Sequence, residues 1–190
     1  MKRKNDFIFY RIKKITLIGD NEMNHIKTTS YIILGILIMA GCAAPPHLAN
    51  MIVPIDSSLF SSTGKSLRVE AVIGGEVAGG HEMFRQALAQ SLRNSNLFKE
   101  VINEGSADYK LKTVIVQQKL RERVSGYEPK TIDLSVYYYL YNDSTSELIF
   151  ERLQAAPYTG KGRETKPRIM EGAVRENIAY FINELSRVEL

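Results

Sequence analysis

Cysteine and histidine are scarce in this chain of 190 residues. Cys42 is the only cysteine, which excludes an intrachain disulfide, a thiolate metal cluster and a Cys-x-x-Cys redox pair. Of the three histidines, His25, His47 and His81, only His81 falls well inside the region that we expect to fold. A zinc site or a His-based catalytic triad needs more partners than this region offers. We therefore expect no metal site. Carboxylate-based chemistry is compatible with this count, but the sequence shows no cluster of polar side chains that would converge in a cleft, so we also expect no catalytic residue and no bound cofactor.

Excess basic charge is absent from most of the chain. The formal net charge is +4, from 25 basic and 21 acidic side chains. Residues 1–41 hold seven of the basic and three of the acidic ones, which leaves 18 of each sign in residues 42–190. Because the basic excess lies entirely in the first fifth of the sequence, the rest lacks the electrostatic footprint of a nucleic-acid-binding protein. We expect no nucleic-acid partner.

One charge-free apolar run stands out, Tyr31–Ala40. Ten residues of helix rise about 15 Å, roughly half of a bilayer's hydrocarbon thickness, so a membrane-spanning helix is not expected. The length fits the apolar core of a secretory signal, with Lys27 on its positive flank. The sequence therefore predicts a signal peptide over residues 1–41. Met23 fits the position of the initiator, which makes residues 1–22 an overextended reading frame; a long basic leader is the alternative.

The residues that end this run, Met39-Ala40-Gly41-Cys42, resemble the lipobox of bacterial lipoproteins, in which small residues precede an obligatory cysteine. The resemblance implies cleavage between Gly41 and Cys42, a diacylglycerol on the Cys42 thiol and an acyl chain on its new amino group. Two or three acyl chains hold a protein on a bilayer more durably than one. By the same resemblance Ala43, where an aspartate would retain the protein in the inner membrane, implies the periplasmic face of the outer membrane.

Residues 42–65 contain three of the six prolines and a serine cluster, a composition typical of a linker. The sequence predicts a lipidated tether here, and it also indicates that part of this tether docks on the domain. That indication comes from its apolar side chains, Met51, Ile52, Val53, Ile55, Leu59 and Phe60. Residues 66–190 remain for a single periplasmic domain, which is enough chain for one core.

Hydrophobic periodicity in residues 66–190 predicts the order β-α-β-β-β-α. The predicted strands cover residues 67–73, 109–118, 131–141 and 148–155, and the predicted helices cover residues 81–93 and 168–185. Short connections favour an antiparallel meander of the last three strands. The predicted fold is therefore α+β, a two-layer sandwich with a mostly antiparallel four-stranded sheet and both helices on one face.

Two local expectations accompany this fold. The first strand is expected to bury Leu67, Val69, Ala71 and Ile73, because they occupy alternate positions along it. Residues 119–129 are expected to form a polar connection between strands.

This layout resembles a group of small envelope lipoproteins. The group includes auxiliary lipoproteins of ABC-type transport systems, the lipopolysaccharide-assembly lipoprotein LptE and YajG-like proteins. The resemblance is carried by a helix followed by Ser95-Asn96-Leu97-Phe98 and Val101, and by Ala107-Asp108-Tyr109-Lys110-Leu111 opening a strand. It implies a non-catalytic accessory subunit that docks on a transport or assembly complex of the envelope. The alternative is a carrier that binds a lipid or other amphiphile in an apolar cavity between sheet and helices.

Two candidate surfaces follow from the strand pattern. Tyr137, Tyr139 and Tyr141 lie on the face opposite the predicted core, and Val114 and Val116 extend that face on the neighbouring strand. Such a patch indicates a protein-binding surface, although solvated tyrosines on a wet sheet face are the alternative.

Basic residues form a second candidate surface, in or beside loops. They are candidates for contact with anionic lipid or lipopolysaccharide phosphates, and simple solvation is the alternative. The residues are Lys119, Arg121, Arg123, Lys161 and Arg163.

Overall fold

The computed structural model describes residues 45–121, 130–161 and 164–190. Its strands are β1 (Ser66–Val69), β2 (Ile73–Gly74), β3 (Glu100–Ile102), β4 (Tyr109–Arg121), β5 (Thr131–Asn142) and β6 (Leu148–Thr159). Its helices are α1 (Leu48–Met51), α2 (Gly80–Ser95) and α3 (Lys166–Leu185), and a 3₁₀ turn covers Ser57–Leu59.

The strands form one mixed sheet in the order β3-β1-β4-β5-β6, and the short β2 also pairs with β4. The antiparallel meander predicted for the last three strands is present as β4, β5 and β6. The predicted number of four strands is wrong, because six strands form the sheet in the described residues. The sheet is mixed, since β1 runs parallel to both β3 and β4. After β1 the chain passes through α2 and enters β3 in the same direction as β1. Such a crossover connection produces a parallel pair of strands. The α+β class stands.

The first predicted strand divides into two. β1 ends at Val69, and β2 begins at Ile73. Between them Val72 is buried, whereas Ala71 and Ile73, which we expected in the core, are exposed. β2 runs so close to β4 that a Cβ on Gly74 would lie 2.1 Å from the carbonyl oxygen of Ile115. Only glycine fits this approach, and its φ of +107° also favours glycine.

A β-bulge in β4 reverses which residues face the core. The pairing with β5 shifts between Ile115 and Gln117, so Val116 is the extra residue. Beyond the bulge Lys119 and Arg121 pair with residues that point away from the core, on the outer face. The polar connection predicted to begin at residue 119 is therefore wrong at its start, because β4 continues to Arg121.

The core lies between the sheet and the two long helices. Alternate residues of β5 are buried, and the ring of Tyr138 stacks on that of Phe181 from α3 at 3.9 Å between centroids. The Tyr138 hydroxyl donates to Asn177 Oδ1 at 2.8 Å, and Asn177 Nδ2 donates to the carbonyls of Leu134 (3.3 Å) and Gln154 (3.1 Å). Burial raises the pKa of Tyr138 well above its usual value, so its hydroxyl remains a donor. These bonds fasten α3 to β5 and β6.

The segment before β1 packs on the outer side of the helices. Met51 is fully buried, and the N–H of Val53 donates to Ser91 Oγ of α2 at 2.9 Å. The buried carboxylate of Glu171 in α3 accepts from the N–H of His47 at 2.8 Å and from Asn50 Nδ2 at 2.7 Å. The tether predicted over residues 42–65 is therefore wrong for the part that the structure describes. The compact unit begins at Pro45.

Candidate partner-binding surface

An apolar band crosses the sheet on the face opposite the helices. Ile73, Val114, Tyr137 and Leu153 come from β2, β4, β5 and β6 and lie side by side in the pairing register. Val116, at the bulge, extends the band. We call these five residues the outer strip. Ile73 is 46% exposed, Leu153 44% and Val116 52%, although each is aliphatic. The strip therefore presents apolar surface to solvent across four strands.

Three tyrosines of β5 form a stacked row that begins in the outer strip. The ring centroids of Tyr137 and Tyr139 are 5.6 Å apart, and those of Tyr139 and Tyr141 are 6.4 Å apart. Lys110 places its Nζ 5.7 Å from the centroid of the Tyr141 ring. Partial burial, followed by the carboxylate of Glu151, raises the pKa of Tyr139. The row offers a large, ordered and amphipathic contact area.

Charged side chains border this face at both ends. At one end Lys119 and Arg121 face outward because of the bulge, and Arg121 Nη2 donates to Asp133 Oδ1 at 2.8 Å. At the other end Arg68 Nη2 lies 2.7 Å from Asp143 Oδ1. The face therefore has an apolar centre between charged ends, as the core and rim of a protein interface do.

The structure brings some of the predicted site residues together, and others lie outside the residues that it describes. Tyr137, Tyr139, Tyr141, Val114 and Val116 share the outer face of the sheet. The residues Gly41, Cys42, Arg123 and Arg163 lie outside the described residues.

Lys161 lies at the same end of the sheet as Arg121. It follows Thr159, which pairs with Thr131, the partner of Arg121. Its own N–H donates to Glu164 Oε2 at 2.8 Å.

Sequence reasoning missed several members of this face, among them Ile73, Leu153 and Arg68. Leu153 could have been found, because alternation along the predicted fourth strand places it on the opposite face from Phe150 and Gln154, which are half-buried. Alternation along residues 67–73 predicts Ile73 in the core, and this is wrong because nothing local marks the break between β1 and β2. Arg68 belongs to the face through the parallel register with Lys110, which is a long-range property.

A groove lies on the opposite side of the molecule, between the segment 53–60 and α3. Its volume is about 430 Å³, and its walls include Val53, Ile55, Phe60 and Ala179. We call it the helix-side groove. It is distinct from the space between sheet and helices, where Tyr138 and Phe181 are in contact. Among the helices that the structure describes, none has both the length and the apolar character needed to cross a membrane.

Comparison with known proteins gives matches to solved structures alone. No family model and no curated protein matches the sequence. The protein XCC0632 of Xanthomonas campestris, assigned to the family DUF330, aligns with 71% of this chain and 90% of its own at 11% identity and a TM-score of 0.56. The hypothetical protein CT253 of Chlamydia trachomatis aligns with 65% and 96% at 11% identity and a TM-score of 0.51. These two similarities show a shared fold.

A more distant match is the lipoprotein GNA1162 of Neisseria meningitidis. It aligns with 63% of this chain and 96% of its own at 10% identity and a TM-score of 0.41. We draw no argument from a similarity at this level.

Proposed function

We propose that the chain is a bacterial envelope lipoprotein, anchored by acyl chains on Cys42 at the periplasmic face of the outer membrane. In this proposal it is a non-catalytic accessory subunit that docks on a protein of a transport or assembly complex. The anchor is supported by the resemblance of Met39-Ala40-Gly41-Cys42 to a lipobox, and the outer membrane by Ala43. The docking role rests on the outer strip.

The observation that carries the docking role is the alignment of exposed apolar side chains across four strands. Single exposed apolar residues are normal on protein surfaces, whereas a contiguous patch bordered by charges usually marks a contact. Solvated tyrosines alone would not require Ile73, Val116 and Leu153 to be exposed beside them. Stacked tyrosine rings lose little conformational entropy on binding, which suits them to this role.

The charges around the strip indicate the chemistry of the partner. Lys110 and Lys112 pair in register with Tyr141 and Tyr139, and Lys119 follows beyond the bulge. A partner surface with an apolar centre and carboxylates at its rim would complement this pattern.

The contacts between sheet and helices weigh against the carrier alternative. A cargo held there would need a cavity, and this space contains the stacked rings of Tyr138 and Phe181, which are both fully buried. The hydrogen bonds of Asn177 also close the gap between α3 and the two strands below it.

Substitution of Leu153 by glutamate should abolish the docking. Leu153→Glu places a charge at the β6 end of the strip, where burial against a partner would cost several kcal/mol. The fold should tolerate this substitution because Leu153 is exposed. We expect a photo-crosslinking residue at Val116 to give one adduct in intact cells. When Leu153→Glu is combined with the crosslinking residue, this adduct should disappear. The crosslinked partner should then also no longer co-purify with the protein in mild detergent.

A matched control is available on the helix side. Gln86 of α2 is exposed and lies on the other face of the molecule. A crosslinking residue at Gln86 should not give the Val116 adduct, and Gln86→Glu should leave that adduct unchanged. Docking through the outer strip is contradicted if Leu153→Glu folds normally and keeps both the adduct and the co-purified partner.

A further inference from the structure

We propose that the helix-side groove rests on the surface of the bilayer that anchors the chain, so that the tyrosine face points away from the membrane. This inference depends on the proposed acylation of Cys42. The groove has walls from the segment 53–60 and from the second half of α3, and a volume of about 430 Å³. At its rim Leu59 is 75% exposed and Tyr180 is 50% exposed.

The number of residues between the anchor and the domain limits how far the groove can lie from the membrane. Five peptide units separate Cys42 from His47, and a fully extended chain spans at most about 3.6 Å for each, or about 18 Å in all. The N–H of His47 is held by the carboxylate of Glu171 on α3. A linker through residue 65 would have reached about 70 Å. The docked segment removes most of that reach and keeps the helix side of the domain close to the bilayer.

The connectivity also places the groove on the side of the domain from which the chain leads to the lipid anchor. The segment 45–60 lies on the outer side of α2 and α3, and the sheet lies beneath those helices. The helix-side groove therefore lies on the same side of the domain as the amino-terminal segment that leads to Cys42. The outer strip lies on the opposite side. One surface can contact the membrane while the other binds a protein.

The side chains at the groove suit the interface between headgroups and acyl chains. Tyrosine is enriched at membrane interfaces because its ring is apolar and its hydroxyl is polar, and Leu59 adds an aliphatic group beside Tyr180. Ile55 and Phe60 supply further apolar surface below them. Such a contact is shallow, about 5–10 Å into the boundary between headgroups and acyl chains.

The acidic residues at the groove limit how deeply it can enter the bilayer, and they argue against electrostatic attraction to anionic lipid headgroups. Asp56 and Glu176 both line it. The N–H and hydroxyl of Ser58 donate to Asp56 at 3.0 and 2.7 Å and lower the pKa of that carboxyl, so it stays ionised. Carboxylates do not attract an anionic membrane. The contact therefore depends on apolar burial, and added salt should not weaken it.

Tryptophan fluorescence tests this arrangement directly, because the natural chain contains no tryptophan. Leu59→Trp and Tyr180→Trp report on the groove, and Tyr139→Trp is the matched control on the opposite face. Each acylated full-length mature protein is reconstituted into vesicles of phosphatidylethanolamine and phosphatidylglycerol that contain a brominated phospholipid. We expect both groove reporters to shift to shorter wavelength and to lose roughly half of their emission or more, at low and high salt. The Tyr139→Trp emission should remain unchanged.

Each other outcome overturns the inference. Groove reporters that are quenched no more than Tyr139→Trp show that the groove does not contact lipid, while the anchor stands if intact mass confirms acylation. A blue shift that depends on protein concentration and is not accompanied by quenching from bromine shows that another protein molecule, such as a second copy of this chain, covers the groove. Quenching that disappears at high salt shows an electrostatic contact. A chain without acyl groups overturns both the inference and the proposed function.

Discussion

Substitution of Cys42 by serine is expected to remove the protein from the membrane fraction. Each buried methylene of an acyl chain contributes about 0.8 kcal/mol to membrane binding, so the loss of two or three chains removes the dominant attachment. Expressed behind a signal peptide that does not require the cysteine, the Cys42→Ser protein should change from almost entirely sedimenting to almost entirely soluble. It should also lose all labelling by radioactive palmitate.

The neighbouring substitution Ala44→Ser is the control for this change. It adds the same hydroxyl two positions away and leaves the acceptor thiol in place, so labelling and sedimentation should match the natural protein. Palmitate labelling of Cys42→Ser at the natural level would rule out Cys42 as the site of acylation.

Substitution of Phe181 by alanine is expected to destabilise the domain severely. Phe181 is fully buried, stacks on Tyr138 at 3.9 Å and lies 6.2 Å from Phe150. Truncation of such a ring costs about 3–5 kcal/mol of unfolding free energy, which is a large part of the stability of a domain of this size. Urea denaturation of the soluble Cys42→Ser protein should show this loss as a lower midpoint with an unchanged slope.

Tyr180 provides the matched comparison, since it precedes Phe181 on the same helix and is half exposed. Tyr180→Ala should change the unfolding free energy by about 0.5 kcal/mol or less. Equal losses for the two substitutions would show that the ring of Phe181 does not contribute to the core in the way that its contacts indicate.

The features that the sequence predicted well are those with a strong local period. In β5 the residues Ile132, Leu134, Val136 and Leu140 are aliphatic and share their alternation with Tyr138. The intervening positions are polar or tyrosine. This pattern assigned both the core face and the tyrosine row. The apolar stripe of α3 was equally regular, and its boundary was wrong by only two residues.

The features that it did not predict depend on long-range contacts. β1 and β3 have four and three residues, and their parallel pairing has no local signature. In β4 the continuous apolar run Val114-Ile115-Val116 conceals the bulge, so alternation could not assign Lys119 and Arg121 to a face. Because those two residues reach the tyrosine face only through the bulge, the charged border of the site could not be predicted.

The docked amino-terminal segment illustrates the same limit. Its apolar residues suggested docking, but its fixed position depends on the carboxylate of Glu171, which is 124 positions from His47 in the sequence. A buried carboxylate with two donors is a tertiary arrangement, and the proline and serine content of the segment indicated a linker instead. The membrane-facing orientation that we propose for the helix side depends on this contact.

The most direct test of the central claim is the intact mass of the mature protein extracted from membranes in detergent. The account predicts a chain that begins at Cys42 and carries a diacylglycerol and one further acyl chain, with the added mass on the amino-terminal fragment after proteolysis. A chain that begins upstream of Cys42 and carries no fatty acid would contradict it.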